Sequence, residues 1–265
     1  MTRIAIALRD ALRAEWTKQR TIAGPAWLVL GIVALTVAVG LAAMAATRCP
    51  AGIACQVDTT RLSLTGVQFG QAVVAALAVL AVCNEYSSGM IRVTLAALPR
   101  RPLVLAAKTF LSGGLAVGAS AVAVVACVLA ARLVLPGHGF TLTRGFPLIS
   151  LADPATMRAA AGSVLYLGLI ALLGTGIATI VRDPAVAIGT VLAVLYVFPI
   201  TAAFVGNPTW HNRIERYSPM AGLNIQATTG LRNLPITPWA GLGVLAVWAG
   251  VALLSGGLVL RFRDA

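Results

Sequence analysis

The sequence predicts an all-α, polytopic membrane protein, and three observations carry that expectation. Hydrophobic residues make up 59% of the 265-residue chain against 11% charged, with a mean hydropathy of +0.91. The apolar residues come in six blocks of roughly 20, the length a helix needs to cross a bilayer. Three dipeptides, Asp153-Pro154, Asp183-Pro184 and Thr237-Pro238, punctuate the second half as helix starts, with a capping side chain followed by proline in the first turn. A soluble domain of this length carries far more charge to cover its surface.

The elements follow in order. Residues 1–24 read as an amphipathic surface helix: Ile4, Leu8, Ala11, Leu12 and Trp16 share one face, and Arg3, Arg9, Asp10, Arg13 and Arg20 the other. Glu15 and Gln19 fall inside the apolar face, where a carboxylate is best tolerated if a basic group from a neighbouring segment reaches it. Residues 25–46 form the first span, long enough to be an uncleaved anchor and not a secretory leader. Spans two and three are 64–82 and 109–134. The third has Gly113, Gly114 and Gly118 as a small-residue face for close packing, and Arg132 reaches back to the interface. Spans four, five and six are 159–181, 185–205 and 239–260. Arg182 and Asp183 alone separate the fourth from the fifth, which makes those two a tight hairpin, and Pro199 should kink the fifth. Residues 206–238 form a segment at the outer face, with Trp210, Tyr217, Met220, Leu223 and Ile225 predicting short helices folded back on the membrane.

Between spans two and three lies a polar island, residues 83–108. Ser87 and Ser88 are expected to cap a short helix starting near Gly89, and Pro99 to stop it. Met90, Ile91, Val93, Leu95 and Leu98 give that helix an apolar docking surface. Arg92, Arg100, Arg101 and Lys108 should hold the segment in water or against anionic headgroups. A plain connection between two spans needs none of this, so the segment reads as a contact surface for a partner. The N-terminal segment has five basic residues against two, Arg48 and Arg61, in the first loop, which orients both termini and the 83–108 segment to the cytoplasm.

Missing chemistry narrows the function. The net charge of +12 sits between the apolar blocks with no aromatic-interleaved stripe, so nucleic acid is not an expected partner. No predicted span has a carboxylate or histidine at mid-membrane, as ion-driven transporters usually do. His138 and His211 lack ligand spacing, so no metal site is expected, and no paired nucleophile and base suggests catalysis. The two lysines, Lys18 and Lys108, belong to no phosphate-binding loop, so any nucleotide must be bound by another chain. Cys49 and Cys55 share the first loop: a bridge suits an oxidising compartment, and two free thiols suit a reducing one. Gln68, Gln71, Thr175 and Tyr196 are candidates to line a translocation path, and equally candidates to hydrogen-bond neighbouring helices.

Five strings in order carry a family resemblance. Arg13-Ala14-Glu15-Trp16-Thr17-Lys18 precedes the first span. Asn84-Glu85-Tyr86-Ser87-Ser88-Gly89-Met90-Ile91-Arg92 and Leu95-Ala96-Ala97-Leu98-Pro99-Arg100-Arg101 follow the second. Pro238-Trp239-Ala240-Gly241 opens the last span, before Arg261-Phe262-Arg263-Asp264. Together they resemble the permease subunit of ABC-2 type transporters, in particular the short six-span permeases of high-GC Gram-positive bacteria. The resemblance implies a single permease domain in the cell membrane that works with a second permease subunit, identical or paralogous. It also implies two copies of a separate ATPase subunit, which would bind ATP and magnesium. It makes 85–98 a coupling element, with Glu85, Gly89, Met90, Ile91, Arg92, Leu95 and Leu98 meeting the ATPase. Arg13, Glu15, Trp16 and Lys18 belong to the surface helix, and Glu85 would pair with a basic residue of that helix or with Arg92. Export of a hydrophobic or amphipathic cargo is the implied activity. The contrasting expectations are a membrane scaffold that moves nothing and an ion-gradient-driven transporter.

Overall fold

The computed structural model describes residues 2–21, 23–50, 55–97, 101–141, 143, 146 and 149–262. Ten α-helices account for most of them, and no strand occurs among the described residues: α1 (Thr2–Thr21), α2 (Ala23–Ala46), α3 (Thr59–Ser63), α4 (Val67–Ser87), α5 (Met90–Ala97), α6 (Arg101–Val134), α7 (Pro154–Val181), α8 (Pro184–Phe204), α9 (Pro208–Tyr217) and α10 (Pro238–Phe262). Helices α2, α4, α6, α7, α8 and α10 are long and apolar enough to cross a membrane. The chain is a multi-pass, all-helical membrane protein.

The predicted punctuation holds where a side chain caps a helix. Asp153 accepts a hydrogen bond from Thr156 N at 2.9 Å and starts α7; Asp183 does the same from Val186 N at 2.9 Å for α8. Arg182, in the left-handed region at φ 66°, makes the sharp reversal between them. Helix α8 runs through Pro199 to Phe204.

Helix α7 is the centre of the bundle, packing against α4, α6, α8 and α10. Small residues let the helices approach. A Cβ on Gly176 would lie 2.5 Å from the carbonyl carbon of Ala252 on α10, and one on Gly66, just before α4, would collide with the Thr36 carbonyl on α2. The small-residue face expected on α6 is only partly used. Gly113 meets Leu172, but Gly114 and Gly118 face open space, because that side of α6 lines grooves instead of a helix interface.

Other sequence expectations shift at their boundaries. Ser87 and Ser88 do not cap α5: their hydroxyls donate to Asn84 O at 3.1 and 2.7 Å and so finish α4. Gly89, at φ 71°, turns the chain, and α5 starts at Met90. Helix α6 begins eight residues before the predicted third span, with Pro102 in its first turn, so Lys108 belongs to a helix and not to a connection.

At the end of the bundle away from the termini, Cys49 and Cys55 are bridged. The 206–238 segment folds back as α9 and two 3-10 stretches, Pro219–Gln226 and Leu231–Asn233. Asp58 pins it: while capping α3 through Arg61 N (3.0 Å), it accepts from Thr228 N (2.6 Å), Thr228 Oγ1 (2.7 Å) and Thr229 N (2.8 Å). Arg158 adds a bond to Ala227 O at 2.6 Å. Burial raises the Asp58 pKa, but the four donors outweigh it and hold the carboxyl below its ordinary value. A depressed carboxyl contributes stability above its unfolded pKa and loses it as pH falls through the folded one. The pin should therefore hold at neutral pH and release only below the usual carboxylate range. Asp58→Ala should cost about 1–3 kcal/mol at pH 7. Limited proteolysis of 206–238 should speed up in this variant at neutral pH and match the parent in strong acid.

Candidate functional site

The site lies at the end of the bundle that holds both termini, where α1, α4, α5 and α6 meet. Four charged side chains form an alternating ring. Lys18 Nζ lies 3.2 Å from Glu15 Oε1 and 2.9 Å from Glu85 Oε1; Lys108 Nζ lies 3.1 Å from Glu15 Oε2 and 2.6 Å from Glu85 Oε1. Every carboxylate touches both ammonium groups, and every ammonium both carboxylates. Glu15, Glu85 and Lys108 are only 4–5% exposed, while the Lys18 side chain retains 27%.

Local structure explains how each member arrives. Glu15 and Lys18 are one turn apart on α1 and so share a face. Glu85 sits in the last turn of α4, and Lys108 two turns into α6. The ring thus ties together three segments distant in sequence. Lys18 also donates to Thr94 Oγ1 at 3.2 Å, which brings α5 into the same network. An ammonium has three donors, and Lys18 uses all of them. Burial lowers the Lys18 pKa, but the Glu85 hydrogen bond and the two carboxylate charges outweigh it and hold it above the ordinary lysine value. A raised lysine gives its full stability below the unfolded pKa and loses it as pH rises through the folded one, so the Lys18 contribution is present in full at neutral pH.

Two sequence expectations meet here: Glu15, placed on an apolar face in want of a basic partner, has Lys108, and Glu85 pairs with Lys18 of the first helix. One is corrected. Lys108, expected in water or against headgroups, is buried, because α6 starts early enough to carry it into the bundle between two carboxylates. Among the other residues singled out, Ile91 is buried, whereas Met90 is 40% and Val93 71% exposed. Arg92 and Leu95 lie on α5, and Leu98 lies outside the described residues. Arg13 and Trp16 are exposed on α1.

The four candidate path residues divide in two. Gln71 is fully buried, accepting from Tyr166 OH and donating to Tyr196 OH at 3.1 Å; Tyr196 OH donates to Gln68 O at 2.9 Å. Thr175 is equally buried, 3.2 Å from Ser112 Oγ and bonded to Ala171 O at 2.9 Å. Gln71 and Thr175 therefore hold helices together. The Gln68 side chain is exposed and Tyr196 half-buried, so these two keep access to the outer surface of α4 and α8. Tyr166, the largest fully buried side chain, escaped the sequence reading because a lone tyrosine in an apolar run gives no warning of its partner.

Removing one member leaves like charges facing each other. Lys108→Met should cost about 3–5 kcal/mol, since it leaves two buried carboxylates to share the single, partly exposed ammonium of Lys18. Lys18→Met should cost about 1 kcal/mol, because water reaches that corner. Thermal unfolding in one detergent compares them: equal losses would contradict the ring, and Glu15→Met added to Lys108→Met should recover part of the deficit.

Comparison with known proteins matches the chain to no family model and to no curated protein, so its residues and their geometry carry the functional reading.

Proposed function

We propose that this chain is the membrane-spanning permease subunit of an ATP-driven exporter of the ABC-2 type. In this reading it lies in the cell membrane with both termini in the cytoplasm and pairs with a second permease subunit. A separate ATPase subunit supplies hydrolysis with its own ATP and magnesium. The observation that carries the proposal is the attachment of α5. A short helix with exposed Met90 and Val93 hangs between two spans, and Lys18 joins it through Thr94 to the charged ring. A mere connection has no use for such a device. A lever does, because a push on α5 reaches α1, α4 and α6 through one set of charge-assisted hydrogen bonds.

The chain contributes a path and a coupling surface. When the ATPase subunits close on nucleotide, they press on α5, and the ring passes the displacement to the base of α4 and α6. Helix α8 packs at the margin of the bundle against α4, α7 and α9, so it is free to move with α4 relative to a second subunit. Exposed Gln68 and Phe69 on α4 and exposed Val197 and Ile200 on α8 suit a hydrophobic or amphipathic cargo better than a charged one.

Isolation of the tagged chain from its native membrane in mild detergent tests the proposal. A nucleotide-binding ATPase should accompany it, with ATP hydrolysis in the isolated complex. Arg92→Glu with Leu95→Asp should reduce the bound ATPase roughly tenfold or more, as interface anchors do. The amount of chain in the membrane should stay unchanged. A wild-type chain isolated with no nucleotide-binding protein would overturn the assignment and favour a scaffold.

A further inference from the structure

Beside the charged ring, the ends of α1, α2 and α4 enclose a cavity of about 320 Å³. Its walls are of two kinds. Pro25, Leu28, Leu77 and Leu80 are apolar and lie toward the membrane-spanning parts of α2 and α4, while Glu15, Lys18, Gln19, Asn84, Glu85 and Ser88 supply the polar wall. Two buried oxygens on that wall, Glu85 Oε2 and Gln19 Oε1, have no hydrogen-bond partner among the described residues. Glu85 is 95% buried, and both lysines that touch it do so at the other oxygen, Oε1. A buried acceptor without a donor is costly, and more so when charged, so two on one wall call for something that donates.

The charge balance says what kind of donor. Glu15 and Glu85 are already matched by Lys18 and Lys108, so the ring lacks hydrogen-bond donors and not charge. A third cation at Glu85 Oε2 would sit beside two ammonium groups bonded to the same carboxylate. An anion has no proton to offer and would face Glu85 directly. Neutral O–H or N–H groups fit both oxygens without either penalty. Water reaches the polar wall beside Lys18, but it leaves the apolar wall of Pro25, Leu28, Leu77 and Leu80 without a matching partner. We propose that the cavity holds the neutral, hydroxyl-bearing head of an amphiphile. Its hydroxyls donate to Glu85 Oε2 and Gln19 Oε1, and its chain runs along Leu28, Leu77 and Leu80.

This inference stands apart from the ATPase proposal, since either can fail without the other. The test uses the full chain in phosphatidylcholine nanodiscs, whose lipid heads carry no donor, with a photoactivatable monoacylglycerol as probe. Cross-links should map to 25–28 and 77–84. Monoolein should compete, and methyl oleate, with the same chain but no donor, should compete roughly tenfold less well, the worth of a hydrogen bond to a charged group. Gln19→Leu removes one acceptor and Ala81→Phe fills the cavity; each should abolish the preference for monoolein. Competition by free glycerol equal to that by monoolein would keep the chemistry and assign the site to a water-borne polyol. Equal competition by methyl oleate, better competition by oleylamine, or labelling indifferent to both variants would overturn the proposal.

Discussion

The structure depends on the requirement that charges buried at the edge of a membrane protein find opposite charges. Glu15, Glu85 and Lys108 are almost wholly withdrawn from water, and each is tolerable only because the others and Lys18 surround it. Such an arrangement is a poor source of net stability, since well-packed apolar side chains of similar size often do as well or better. What it supplies is register. An apolar contact between α1, α4 and α6 survives a slide of one helical turn, but a ring of alternating charges does not. Four residues therefore fix where the N-terminal helix lies and where α5 hangs.

The two ends of the bundle solve their polar problems differently. At the end with the termini, charge meets charge through long side chains, and one member, Lys18, keeps contact with water. At the other, one carboxylate, Asp58, gathers donors from two segments 170 residues apart, and a disulfide closes the loop beside it. Between them α7 packs through glycine and alanine, where helices approach too closely for larger side chains. The far end and the centre are thus fastened by short-range contacts with little play. The ring is built from flexible side chains and also holds the separate short helix α5 through Thr94.

The sequence makes the six spans, their order and the helix starts at Asp153 and Asp183 legible, because blocks of apolar residues and capping dipeptides are local. The site was half legible. Glu15 stands out as a carboxylate on an apolar face, and Glu85 as an acid at the edge of a span, so each announces a missing partner. The identity of the second partner was hidden by a boundary error. Arg100-Arg101-Pro102, unlike Asp183-Pro184, offers no residue type that favours a helix cap, so the sequence leaves 101–108 as a connection and Lys108 in water. Asp58 was hidden for another reason: the four donors it collects come from its own first turn and from Thr228 and Thr229, a meeting that no local pattern encodes.

The asymmetry of Glu85 links the ring to the cavity beside it. Both lysines bond to Oε1, which leaves Oε2 with its lone pairs unused. Two bonds converging on one oxygen fix that atom's position but hold the rotation of the carboxylate plane weakly, because the second oxygen can swing about the first. A donor in the cavity removes that freedom. An occupied cavity would therefore stiffen the same carboxylate through which Lys18 and Thr94 hold α5, and an empty one would loosen it. The proposed amphiphile and the proposed lever meet at a single side chain, so occupancy of the cavity should set how firmly a push on α5 is felt at the base of α4.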